Sequence, residues 1–147
     1  MVTQTIIIDL AIGVVQSRFI IQRSPKWDEW MDMCIEFLFP SMNERFRSRP
    51  SFMSPKDFAQ FSEYIYNAVA STTEPNYIFL TYELGFMFSF EDIDEYESVV
   101  NLLALAAEPP DDSRSYVGCQ GPVLNKALLK FANDLKKVSI TPNIDTR

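Results

Sequence analysis

The chain has 147 residues, nearly half of them apolar, enough to bury a core without disulfides or bound metal. It carries no histidine, only two cysteines and a net charge of −7, which removes Ser-His-Asp and Cys-His nucleophile systems, histidine metal sites and a disulfide framework. Four glycines are too few and too dispersed for a Walker or dinucleotide loop, and their scarcity tilts the expected fold toward helices.

Residues 5–22 are rich in Ile and Val, with Asp9, Gly13, Gln16 and Ser17 at helical spacing. They read as a mostly buried helix, with a strand as the alternative. This stretch has no basic leader region, is interrupted by Asp9 and lacks a small-residue cleavage site. A soluble, cytoplasmic chain with no membrane contact is therefore expected.

Next, "RSPKWDEW" offers Ser24 as an N-cap and Pro25 at the first helical position, followed by Trp27, Trp30, Met31, Cys34, Ile35 and Leu38 on one face. "MSPKDFAQF" repeats the pattern with Ser54, Pro55 and Asp57, then Phe58, Phe61, Tyr64, Ile65 and Ala68. The paired "SPK" triplets hint at a helical repeat, although two copies of a short motif favour chance. Between them, Arg45, Arg47 and Arg49 alternate in an expected loop. In a net-acidic chain they are read as ion-pair partners of the acidic middle segment rather than as a nucleic-acid contact.

Residues 77–90 fit two patterns. Ile78, Leu80, Tyr82, Leu84, Phe86, Phe88 and Phe90 alternate as in a strand, while Thr81, Gly85 and Ser89 form a small-residue stripe at helical spacing. The helix is the preferred reading. Ser89 then caps a helix burying Ile93, Tyr96, Val100, Leu103 and Ala107. The last helix lies within 122–138 and buries Val123, Leu124, Ala127, Leu128, Phe131 and Leu135, with Lys136 and Lys137 in its final turn. The expectation is a mostly α, single-domain bundle or short array of about five to six helices over residues 1–138, with a flexible tail at 139–147. The alternative is an α+β fold with strand character at 77–88.

The most informative feature is charge distribution. Residues 57–113 contain no Lys or Arg and hold twelve acids. The densest run is "SFEDIDEYES", with Glu91, Asp92, Asp94, Glu95 and Glu97. It is not an EF-hand, because Glu97 occupies the glycine position and Leu103 the bidentate glutamate position. Glu91 with Asp94 or Glu95, and Glu29 with Asp32 and Glu36, would share helical faces. That arrangement suits Mg²⁺ and phosphates in an all-α nucleotide pyrophosphohydrolase, but the paired-glutamate motif and phosphate-binding base of such sites are missing. Cys119, in "YVGCQGP", has no histidine to activate it and is read as a loop thiol.

A negative field attracts basic partners and repels nucleic acid. The expected function is a non-catalytic, cofactor-free binding module. Its most concrete form is an inhibitor or immunity-type protein that covers the active site of a basic, nuclease-like toxin. A phage or viral accessory protein (an assembly chaperone or an anti-defence inhibitor) is the second reading, and the Mg²⁺-dependent hydrolase the third. The expected partner surface comprises Glu91, Asp92, Asp94, Glu95, Glu97 and Glu83 with Tyr96 and Tyr82 as aromatic anchors; Tyr77 is a further one.

Overall fold

The structure is a computed structural model, which describes residues 4–23, 30–81, 85–107 and 115–140. It overturns the helical-bundle expectation. Nine strands form two antiparallel sheets, and only two helices are present among the described residues.

The order of elements repeats. Strands β1 (Gln4–Ile12), β2 (Val15–Arg23), β3 (Met31–Phe39), β4 (Glu44–Arg47) and β5 (Ser51–Met53) precede helix α1 (Pro55–Ser71). Strands β6 (Phe79–Leu80), β7 (Phe86–Ile93), β8 (Glu97–Ala107) and β9 (Ser115–Leu124) precede helix α2 (Asn125–Ile140). The first sheet runs β1-β2-β3-β4, with β5 continuing beside β3; the second runs β6-β7-β8-β9. β4 and β5 act as one interrupted fourth strand. Ser48 bridges the break, its N–H donating to the Ile35 carbonyl and its hydroxyl accepting from the Ile35 N–H, both at 2.8 Å. The chain is thus two successive meanders, each closed by a helix. This is not the repeat suggested by the "SPK" triplets, since Met31–Phe39 is a strand and Pro55–Ser71 a helix.

Residues 5–22 form the β1–β2 hairpin rather than a helix. Ile8, Leu10 and Ile12 point inward with Ser17, Phe19 and Ile21, while Thr5, Asp9, Gln16 and Arg18 point outward. This is the period of two that β-branched residues favour on a half-buried sheet. Gly13 turns the hairpin with φ +59°, a left-handed conformation suited to glycine. Its N–H donates to the Pro122 carbonyl at 2.9 Å, tying the first sheet to the second.

The helix expected after Pro25 is instead strand β3: Met31 and Ile35 face the core, whereas Cys34 and Leu38 face outward with Asp32 and Glu36. Ser24, Pro25 and Trp27 lie outside the described residues. The reading of α1 is confirmed. Ser54 and Asp57 form a capping box, Pro55 occupies the first turn, and Phe58, Phe61, Tyr64, Ile65 and Ala68 are buried. α2 starts later than expected. Leu128, Phe131 and Leu135 are buried as read, but Val123 belongs to β9 and Leu124 and Ala127 are exposed. The Ser62 hydroxyl donates to the Ala132 carbonyl at 2.6 Å and fastens the helices together. Residues 139–140 belong to α2, and 141–147 lie outside the described residues.

Aromatic rings fill the space between helices and sheets. The Phe61 ring on α1 meets Phe19, Phe79, Phe86, Phe88 and Phe131, with centroids 4.6–6.4 Å apart. Each such ring contributes about 1.5–3 kcal/mol on burial, so this cluster holds both halves together. The outward face of the first sheet carries a charged row instead. Asp9, Arg18, Glu36 and Arg47 stand side by side across β1 to β4. Arg18 grips Asp9 at 2.9 and 3.4 Å, and that hydrogen bond holds its guanidinium above its ordinary pKa. Arg47 lies 3.9 Å from Glu36. Arg45 and Arg47 therefore sit on a strand, and Arg47 pairs within its own sheet rather than with the acidic middle segment.

Candidate functional site

The acidic run forms the β7–β8 hairpin and its two flanks, not a helix start. On β7, Phe86, Phe88 and Phe90 are buried at alternate positions, so Glu91 faces out and Asp92 would be due to face in. A β-bulge between Phe90 and Asp92 resets this phase. The extra residue lets Glu91 and Asp92 both remain exposed and returns Ile93 to the core side. Asp94, Glu95, Tyr96 and Glu97 complete the turn. All four are exposed, and Tyr96 reaches 74 %. The stripe expected to be buried from a helix is therefore corrected: Tyr96 and Leu103 face outward, while Val100, Leu102 and Ala104 face the core.

The tip is held from behind. Asn125, the first residue of α2, is buried. Its side-chain amide donates to the carbonyls of Asp94 and Glu95 at 2.7 and 3.0 Å, and its backbone N–H to the Tyr96 carbonyl at 2.8 Å. Its side-chain oxygen accepts from the buried Ser98 hydroxyl at 2.6 Å. Three consecutive turn carbonyls are thus bonded to one residue, which fixes the backbone and leaves the carboxylates directed to solvent. The N-terminal end of α2, with its partial positive charge, lies beneath them. A second set of bonds fixes the flank. Asn101 donates to Glu91 at 3.1 Å and to Ser89 at 3.2 Å, and accepts from Gln120 at 2.7 Å.

None of the five acids forms a salt bridge among the described residues. The basic helix α2 does not neutralise them; Lys130 pairs with Asp134 one turn along the same helix. Tyr82 and Glu83, also expected in this surface, lie outside the described residues. Tyr77 is 60 % exposed but packs edge-on against Tyr64, whose hydroxyl donates to the Tyr77 carbonyl at 2.8 Å. Of the residues expected to meet a partner, the hairpin brings Glu91, Asp92, Asp94, Glu95, Tyr96 and Glu97 together, all exposed. Asn125, Asn101 and Gln120, which organise it, carry no pattern in the sequence that marks them.

No group of three or more His, Cys, Asp or Glu residues is placed to hold a metal ion among the described residues. Asp32 and Glu36 lie on a strand, so the helical acidic face and the all-α scaffold of the hydrolase reading are absent. Cys119 is not in a loop but within β9, paired opposite Leu102. Burial pushes its thiol up to about 11, the reverse of what a nucleophile needs. No helix among the described residues is long and apolar enough to cross a membrane. Compared by sequence, the chain matches no protein-family model and no curated protein.

Proposed function

We propose that the chain is a non-catalytic binding module that meets a basic protein through its β7–β8 hairpin. The observation that carries this reading is the combination of an exposed, unpaired acidic tip with a backbone fixed by Asn125. A charged surface ordered beforehand loses less conformational freedom on binding, and its field speeds association with a partner of opposite charge. An inhibitor or immunity-type role follows: the tip seats against the Lys and Arg residues with which a nuclease-like toxin grips its polyanionic substrate, and so blocks that substrate.

The test is capture of partners by the purified chain, compared with a variant carrying Asp94→Lys, Glu95→Lys and Glu97→Lys. The native chain is expected to retain a basic protein at low salt and to release it as salt rises. The variant is expected to lose it. Equal retention by both chains overturns the reading.

A further inference from the structure

The second sheet has an outward face that neither helix covers. α1 and α2 pack on the opposite side, where Phe61 meets Phe86 and Phe88. Leu105, one step beyond Leu103 on this face, is buried where the Arg49 N–H bonds to its carbonyl, so the open part begins at Leu103. Pairing across the strands sorts the open part into rows. Leu80, Met87, Leu103 and Gly118 stand opposite one another across β6, β7, β8 and β9. Leu80 is 45 % and Leu103 38 % exposed. Glycine at 118 is required there, because a Cβ would run into the Leu102 carbonyl and meet the Leu103 side chain at 2.7 Å. The row is consequently flat and apolar, and at ordinary strand spacing it is about 14 Å wide. The next row is polar, formed by Ser89, Asn101 and Gln120. Beyond it lie Glu91, Asp92 and the hairpin tip. The face therefore runs from apolar to acidic over the four residues from Met87 to Glu91, about 13 Å of strand.

We infer that this face is the body of the docking surface and that the acidic hairpin is one end of it. The inference rests on the proposed function and adds the kind of partner surface it takes. That partner is a basic protein presenting large apolar side chains about 13 Å from its Lys and Arg cluster. Charge complementarity fixes the orientation: the basic end goes to the hairpin, and the apolar end to the Leu80–Met87–Leu103 row. Apolar contact slows dissociation, whereas the acids act mainly on approach.

The test uses two synthetic peptides. One has a pair of leucines four residues from a run of arginines. The other has serines in place of the leucines. Binding is read by fluorescence anisotropy at low salt, with the native chain, the hairpin triple-lysine variant and a face variant carrying Met87→Ser and Leu103→Ser. The leucine peptide is expected to bind the native chain about tenfold more tightly than the serine peptide. The face variant is expected to erase that difference while still binding the serine peptide, and a cooperative thermal transition checks that it is folded. Equal binding of both peptides to the native chain overturns the docking face and leaves the acidic reading standing. Binding unaffected by the triple-lysine change, or binding of neither peptide, overturns both.

Discussion

The side chain of Asn125 and the backbone of Asp94 are 31 positions apart in sequence, yet their hydrogen bond of 2.7 Å couples the start of α2 to the acidic turn. Asn125→Ala removes the two side-chain bonds to the turn carbonyls, leaves the backbone bond to Tyr96, and strands the Ser98 hydroxyl. A loss of about 3 kcal/mol is expected, seen as a lower urea midpoint with an unchanged slope. Backbone amide exchange at residues 94–97 is expected to accelerate more than in the core. A Ser98→Ala change made in addition costs less than it does alone, because the two share one network.

The carboxylates themselves do little for folding. Changing Glu95 and Glu97 to Lys is expected to leave stability within about 0.5 kcal/mol of the native chain, since both are exposed and unpaired. Calorimetry of the variants gives this directly. A midpoint that falls steeply would assign these acids a structural role instead.

Gly85 lies against the buried Ser51 at the start of β5. A Cβ at 85 would run into the Ser51 hydroxyl oxygen and fall 3.0 Å from its Cβ. Gly85→Ala is expected to cost about 2 kcal/mol through overpacking. Ser51→Gly made with it removes both clashing atoms and recovers part of that loss. Chemical denaturation of the two single variants and the pair measures the coupling, and strict additivity would count against the contact.

A buried tyrosine and a half-buried cysteine make the fold sensitive to alkali. Burial pushes the Cys119 thiol from 9.0 up to about 11, and burial, followed by the neighbouring Tyr77, pushes Tyr64 from 10.0 up to about 12. In both cases the unfolded chain loses its proton first. Their contribution is therefore complete below pH 9 and declines as pH rises from about 9 to 12. The thermal midpoint is expected to fall across that window, and Cys119→Ala to flatten the part between 9 and 11. In a Cys34→Ser background, alkylation of Cys119 should continue to speed up beyond pH 9, whereas in denaturant it levels off near the ordinary thiol value. A native plateau at or below pH 9 would contradict the burial account.

Where local chemistry determines an element, the sequence reveals it. Ser54, Pro55 and Asp57 specify the start of α1, and the apolar stripe from Phe58 to Ala68 supplies its buried face. The strands are hidden for two reasons. Outward positions carry apolar residues too, among them Ile7, Ile20, Leu38 and Leu103, so the alternation is blurred into something resembling a helical stripe. Apart from Gly13, the described turns also do without glycine. Asn43 and Thr72 adopt φ values of 49° and 48° themselves, and the acidic hairpin turns through Glu95 and Tyr96. Counting glycines therefore underestimates the number of turns. The acidic surface was legible as charge, but the bulge that aims it and the Asn125 bonds that hold it depend on residues far apart in the chain.

The ring of Phe61 touches aromatic side chains from both meanders, and this has a consequence for cutting the chain. Separated between α1 and β6, each piece would expose the rings that the other covers, so neither is expected to remain in solution as a folded monomer. Mixed, the two pieces carry complementary surfaces and should recombine. The connection at 72–78 is therefore a natural place to divide the protein into a conditional pair, one that regains its acidic hairpin only when both pieces meet.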